Sequence, residues 1–413
     1  MASGTRRDSQ GRVLQKGEYV RSSDGRIVYN YTDPLGRRRF LYDTDLIRLR
    51  EREKEIKRDQ LDGLDVYVRG RATLNTTYDR YISTKCNLRG STMNGYTYSY
   101  EHYVRDTFGQ KKLADIKYSD VLHFYLYLLN EKKLAIGTLD SIHCVLHPTF
   151  QLAVRDDIIR NNPSDGVMAE ISKSSGKNRG IRHALSVDEQ KAFMTYVSNH
   201  PVYCQWWSLF VILLGTGTRI GECLGLTWDD VDFEKGLISI NHSIAYYKDQ
   251  ETQVTGLWIH KPKTEAGIRY IPMLDIVRYA LDMIKEEQEE HCITQPVLHG
   301  MTGFLHLNRY GDVMNPQSVN RAIKRIIASY NNEEELNAAR EKRTPLLLPD
   351  FSCHHLRHTF ATRLCNACSN YKVIQYIMGH RSVETTMDIY AEATDEKNKE
   401  VFELLSDKLE GMF

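Results

Sequence analysis

The sequence predicts a multidomain chain that is mainly α-helical with small β-sheets. Three observations carry this. The chain is 413 residues long, and at roughly 150 residues per domain that length fits two or three domains. Residues 1–40 alternate apolar and polar side chains in short runs broken at Asp24-Gly25 and Asp33-Pro34, the mark of small strands and tight turns. Most of the remainder repeats apolar residues at helical spacing, interrupted by one group of strand-like runs.

Composition narrows the function classes. Lys+Arg total 55 against 54 Asp+Glu, a net charge of +1, so any nucleic-acid surface must be local. Mean hydropathy is −0.48. No run approaches the roughly 18 apolar residues of a membrane span, and the opening Met1-Ala-Ser-Gly-Thr-Arg6 lacks a signal-peptide core; both argue against secretion and membrane insertion. Eight scattered cysteines are too sparse for a disulfide scaffold and suit reduced thiols. Cys365 and Cys368 have metal-like spacing, with Cys353, His354 and His355 as a conceivable other half. Small thiols on helical faces usually belong to a core, so no metal is expected.

The elements follow in order. Residues 17–22, 26–31 and 37–42 read as strands and 44–61 as a helix, giving a first domain over 1–62. Residues 1–40 carry nine Lys and Arg against four Asp and Glu. Arg26, Arg37, Arg38, Arg39 and Tyr29 could lay a basic sheet in a DNA groove; a solvated edge that deters aggregation is the alternative. Residues 72–165 form a helical domain, with helices near 75–85, 92–108, 119–131 and 135–156. Residues 166–183 read as a basic linker. Its Lys177, Arg179 and Arg182 either cross a nucleic-acid backbone or are simply solvated. Residues 184–395 form a mixed α/β domain: Ser186 caps a helix with an acidic first turn, an apolar helix covers 206–214, and strands cover 237–247, 257–261 and 268–272. Helical pattern then runs almost to the end. In the tail, 396–413, Val401, Leu404, Leu405 and Leu409 keep helical spacing.

Chemistry concentrates in the third domain. Gly215-Thr-Gly-Thr-Arg219-Ile-Gly-Glu222 fails as a nucleotide loop, because its glycines are misplaced and the element before it reads as helix. It leaves Arg219 near a helix start, facing an anion or pairing with Glu222. Lys263 sits in a turn between strands, in reach of a phosphate or merely solvated. His354 and Arg357 share a helical face, and His380 ends a helix ten residues before Tyr390. Together Arg219, Lys263, His354, Arg357, His380 and Tyr390 supply donors for anionic oxygen and one hydroxyl nucleophile, with no carboxylate cluster to hold a metal. That inventory suits metal-free phosphoryl transfer to a tyrosine.

In this ordered set the chain resembles the tyrosine recombinases, most of all the integrases of conjugative transposons. The resemblance covers nearly the whole chain. It rests on Thr216-Gly-Thr-Arg219-Ile-Gly-Glu222, Lys261-Pro-Lys263-Thr264 with Arg269-Tyr-Ile-Pro272, His354-His-Leu-Arg357-His358-Thr-Phe-Ala-Thr, Met378-Gly-His380 and Met387-Asp-Ile-Tyr390-Ala. One such motif is weak; five in this order are specific. Met378 departs from a frequent Leu, and residues 248–256 lengthen the hairpin before Lys263.

The resemblance implies an arm-type DNA-binding domain over 1–62, a core-binding domain over 72–165 and a catalytic domain over 184–395. It implies a recombinase that excises and integrates a mobile element through a 3′-phosphotyrosyl link and a Holliday junction, with no cofactor. Tyr390 would be the nucleophile. Arg219 and Arg357 would clamp the phosphate with His380 as a further donor, Lys263 would protonate the leaving 5′-oxygen, and His354 would share proton transfer. The implied partners are double-stranded DNA at core and arm sites, three further copies in a tetramer that the tail helix could join, and an accessory excision factor. The implied setting is the cytoplasm of a bacterial host, at the nucleoid. Two alternatives stay open: a type IB topoisomerase-like enzyme, and a non-catalytic helix-turn-helix regulator, which would leave Lys263 and Arg219 idle.

Overall fold

A computed structural model describes residues 6–32, 38–61, 72–85, 88–175, 184–249, 252–262, 267–368, 370–380, 382–384 and 387. The chain divides into two compact units between Arg179 and Gly180. The tail over 396–413 lies outside the described residues.

The first unit opens with an antiparallel sheet of β1 (Glu18–Val20), β2 (Ile27–Thr32) and β3 (Arg38–Asp43), followed by α1 (Leu46–Leu61). Tyr29 pairs with Leu41 and Tyr31 with Arg39. Because side chains alternate across a strand, this register sends Ile27, Tyr29, Tyr31 and Leu41 to one face, where they pack with Leu46 and Leu49 of α1. Glu18, fully buried, fastens the helix to the sheet by accepting from Nε and Nη2 of Arg50, each at 2.9 Å. Burial would raise its carboxyl, and the bonds from Arg50 and the Gln15 N–H hold it below the usual range instead.

The same unit continues through α2 (Leu74–Ser83), α3 (Gly90–Tyr103), α4 (Tyr118–Asn130), α5 (Ile136–Arg155) and α6 (Val167–Ser175). Their apolar stripes close on Tyr78, Tyr100, Phe124, Ile142 and Phe150. Two boundaries differ from the sequence reading. α3 stops at Tyr103 rather than running to 108, and the chain beyond it packs so closely that a Cβ on Gly109 would lie 2.1 Å from Asn75 Oδ1. The linker expected over 166–183 begins as helix: Val167 and Ile171, four apart, bury themselves in the helical core and extend that domain through α6.

The second unit opens with α7 (Val187–Asn199), capped by Ser186 and Glu189 in a reciprocal box. The apolar α8 (Trp207–Thr216) is packed on by α7, by α10 (Asp275–Glu290) and by α12 (Cys353–Ala367). Between α8 and α10 lie α9 (Ile220–Gly225), the sheet β4 (Val231–Asp232), β5 (Leu237–Ile240) and β8 (Arg269–Pro272), and the hairpin β6 (Ser243–Lys248) with β7 (Thr255–His260). The single strand expected over 237–247 is broken at Asn241 and His242. There Asn241 donates to Asp230 Oδ1 at 2.6 Å and His242 Nε2 bonds the Gly225 carbonyl at 2.6 Å. Residues 291–315 are irregular where helix was expected, with isolated bridges such as Thr227 to Phe304. α11 (Pro316–Glu341), α12 and α13 (Tyr371–Met378) complete the described part. Cys353 lies in the main core, and Cys365 lies with Ile374 and Met378 in a small cluster between α12 and α13.

His306 sits wholly inside this unit, with Nε2 3.6 Å from the Cys223 sulfur. Burial pushes its imidazole down to about 4, against about 6.5 in an unfolded chain. Between those values only the unfolded chain holds the proton, so stability present above about pH 6.5 is lost as pH falls toward 4. We expect urea unfolding of the second unit at about pH 5 to show roughly 2 kcal/mol less stability from this residue than at about pH 7.5. His306→Gln should flatten that part of the dependence; an unchanged slope would assign it elsewhere.

Candidate active site

Two helices end on left-handed glycines, and the candidate residues gather at those ends. Gly217 closes α8 at φ 62°, a conformation glycine adopts without strain. A Cβ there would come within 2.2 Å of Phe360 on α12, so the turn and that helix touch through the bare glycine. Two residues on, Arg219 stands at the N-cap of α9. Gly379 closes α13 at φ 61°, and a Cβ on it would meet the Arg269 guanidinium at 2.9 Å.

The last carbonyls of a helix lack partners within it. Here three consecutive ones are each taken by a different arginine. Arg269 Nε donates to the Ile377 carbonyl at 2.8 Å, Arg357 Nη2 to Met378 at 2.5 Å, and Arg219 Nη2 to Gly379 at 3.3 Å. Arg357 Nη1 also reaches back to the Gly217 carbonyl at 2.7 Å, joining the two glycine turns. His380 follows directly, its backbone N–H on the Gln375 carbonyl at 3.1 Å.

Glu222 supplies the opposing charge. It is 9% exposed, and its Oε1 accepts from Arg219 Nη1 at 2.8 Å while its Oε2 accepts from Arg269 Nη2 at 2.8 Å. Burial alone would raise this carboxyl; Arg269 and then Arg219 more than reverse that and hold it at about 2. Burial and the neighbouring Arg219 charge lower Arg357 to about 9, which leaves it cationic at neutral pH. Burial, then Arg357 and Arg219, push His380 down to about 4. His380 is therefore a neutral imidazole beside permanent cations.

Of the six residues singled out by sequence, Arg219, Arg357 and His380 come together around the Met378–His380 turn. His354 is exposed on α12, one turn before the buried Arg357. Lys263 and Tyr390 lie outside the described residues; earlier in the chain than Tyr390, the Ser382 hydroxyl accepts from the Glu384 N–H at 3.1 Å. The sequence reading gave Arg269 no place in this cluster. The signal was there in part, since strict alternation over β8 buries Arg269 and Ile271 and exposes Tyr270 and Pro272.

At the N-terminal sheet the structure corrects one candidate. Tyr29 is 7% exposed and belongs to the core under α1, because β2 carries it on the helix-facing side. Arg39 lies half-buried on that side too. The open face of β3 presents Arg38, Phe40 and Tyr42, with the Arg21 guanidinium 5.7 Å over the Tyr42 ring; Phe40 and Tyr42 had not been singled out. Arg26 is exposed, 3.6 Å from Asp24. Arg37, Lys177, Arg179 and Arg182 lie outside the described residues.

A mainly helical catalytic unit with this arginine cluster, preceded by a basic three-stranded sheet and helix, describes a class of DNA strand transferase. Residues 183–397, more than half of the chain, match the phage integrase family, and residues 2–60 match the DNA-binding domain of Tn916 integrase. The chain belongs to the phage integrase family, the tyrosine-type site-specific recombinases. It is 30% identical over 407 residues to the transposase from transposon Tn916 of Enterococcus faecalis, across 95% of this chain and 94% of that one. It is 26% identical over 313 residues to the ICEBs1 integrase of Bacillus subtilis, 76% of each chain. Among solved structures it is similar to the Tn1549 transposon integrase in complex with transposon right end DNA, at 29% identity and a TM-score of 0.69, covering 81% of this chain and 100% of that one. No helix among the described residues is long and apolar enough to cross a membrane.

The two faces of the N-terminal sheet should separate under mutation. Tyr29→Ala should cost that domain about 3 kcal/mol or more through the cavity it leaves. Arg38→Ala, on the open face, should leave thermal stability within about 0.5 kcal/mol. Its DNA affinity should fall with a salt slope smaller by about one. Equal melting of the two variants would show that the faces are misassigned.

Proposed function

We propose that this recombinase excises and integrates a conjugative mobile element, cutting each strand by attack of Tyr390 on a DNA phosphodiester. The observation that carries the reading is the pair of arginines anchored to one turn. Arg219 and Arg357 converge on the carbonyls just before His380, so their fixed forks can hold the non-bridging oxygens of one phosphate with His380 as a third donor. The solved complex of the Tn1549 integrase with transposon right end DNA supports the end of a mobile element as substrate.

In the step itself the Tyr390 oxygen forms a bond to phosphorus and the bond to the 5′-oxygen breaks. The phenolic proton passes to His354 and the leaving 5′-oxygen takes a proton from Lys263. The phosphodiester is conserved as a 3′-phosphotyrosyl link. A free 5′-hydroxyl from another duplex reverses the step, so strand exchange proceeds through a Holliday junction. In this reading residues 1–62 engage arm sites and the helical domain engages core sites, with the tail over 396–413 docking on a neighbour in a DNA-bound tetramer. An accessory factor sets the direction of the reaction in the bacterial cytoplasm. A regulator would leave Arg219 idle, and the topoisomerase alternative, which would use the same residues, gains no specific observation.

Because guanidinium groups meet the phosphate, cleavage should persist in excess EDTA; activity restored specifically by a divalent ion would count against the scheme. Tyr390→Phe should bind core DNA normally and yield no covalent adduct on a nicked suicide substrate. Arg219→Lys, which keeps charge and loses the fork, should bind and slow adduct formation by about 10². An adduct from Tyr390→Phe, or one mapped by peptide sequencing to another tyrosine, would overturn the assignment.

A further inference from the structure

Arg269 is fully buried, at 0% exposed, yet its guanidinium points wholly at the groups that build the site. Packing alone does not call for a cation there, because a buried charged network can often be replaced by apolar groups without loss of stability. Both oxygens of Glu222 are shared. Oε2 accepts from the Arg219 N–H at 2.9 Å and from Arg269 Nη2 at 2.8 Å; Oε1 accepts from Arg219 Nη1 at 2.8 Å and from Arg269 Nη1 at 3.4 Å. With Arg269 absent, the full Glu222 charge would fall on Arg219, and a one-to-one ion pair presents little net charge to a phosphate. With Arg269 present, one carboxylate is divided between two cations. Arg219 is then oriented without being neutralised. Through Nε on the Ile377 carbonyl, the same residue fixes the end of α13 three residues before His380, and the bare Gly379 gives it room to do so.

We infer that Arg269 is a positioning residue for strand cleavage: it draws off Glu222 so that Arg219 keeps its charge for the phosphate, and it anchors the turn that presents His380. This rests on the recombinase reading above and adds a member to its machinery that touches no substrate.

The test is the single-turnover rate of covalent adduct formation by the full-length protein on a nicked suicide substrate at saturating DNA. Affinity for the same duplex and thermal unfolding are measured alongside. Arg269→Met should bind DNA within about threefold of the parent, since Arg269 faces no solvent, and slow cleavage by about 10². The discriminating variant is R269M/E222Q, which removes the carboxylate that Arg269 restrains. It should cleave about tenfold faster than R269M when both rates are taken per folded, DNA-bound protein, a comparison that removes any gain due only to restored folding. Because R269M leaves a buried carboxylate short of a partner, at a cost to folding, R269K is made as well: it keeps the charge but cannot reach Glu222 and Ile377 together, and it should cleave at least tenfold more slowly than the parent. A folded, DNA-binding R269K with parental cleavage overturns the inference, and so does a double variant no faster than R269M. A parallel Tyr390→Phe control separates the two levels: an adduct formed without Tyr390 sinks the functional reading, whereas its loss together with unimpaired Arg269 variants sinks only this inference.

Discussion

Glu222 places one buried negative charge between the guanidinium groups of Arg219 and Arg269, and the order of the site follows from how that charge is shared. A carboxylate out of water is costly unless its lone pairs are filled. Here each oxygen takes two donors, and the short α9 helps, because the Arg219 N–H at its start is one of the four. The dependence runs outward from there. Arg219 is steered by Glu222, Glu222 is held by Arg269, and Arg269 holds the end of α13. A change in any one of these contacts reaches the position of His380 through the others.

Charge and proton supply are separated by residue type. Arg357, at 3% exposed, keeps its proton at neutral pH because guanidinium starts so far above it, whereas a lysine in that place would lose charge on burial. His380 lies in the same field and does surrender its proton, so it can offer a ring N–H without adding a fourth positive charge to a crowded turn. The permanent cations and the neutral imidazole are thus in place in the free protein. In the cleavage reaction proposed above, preset donors of this kind would lower the barrier because nothing has to reorganise as charge develops on the non-bridging oxygens.

The sequence showed the ordered motifs, the N-terminal sheet and helix, and the helical run after it, because periodicity and turn residues are local properties of the chain. It placed Arg219, Arg357 and His380 in one cluster through their motifs, and the turn at Met378–His380 brings those three together. Three features were not legible for a common reason: they depend on long-range pairing. Tyr29 reads as a surface aromatic until the pairing of β2 with β3 fixes which face meets α1. The break at His242 depends on the Gly225 carbonyl seventeen residues earlier. Arg269 reads as an ordinary strand arginine until β8 pairs with β5 and turns it inward beneath Glu222. By contrast, the helix over Val167–Ser175 was legible in its apolar spacing and was hidden by the basic composition that follows it.

The near-neutral overall charge is consistent with this construction. A protein that met DNA with a diffuse positive surface would need an excess of Lys and Arg, and the chain has an excess of one. It concentrates cations instead. Arg219, Arg269 and Arg357 converge on three consecutive carbonyls with one carboxylate among them, and Arg38 stands beside Phe40 and Tyr42 on the open sheet face, with the Arg21 guanidinium over Tyr42. In the first arrangement Arg269, Arg357 and Glu222 are buried and Arg219 is exposed, so the low dielectric that magnifies charge and limits salt screening acts on the inner three. The second is exposed and salt-sensitive, and aromatic rings next to the cation add contact area that does not fade with ionic strength. In the reading proposed above the sheet face serves binding and the cluster serves chemistry, so ionic strength acts on the exposed sheet charges far more than on the buried ones.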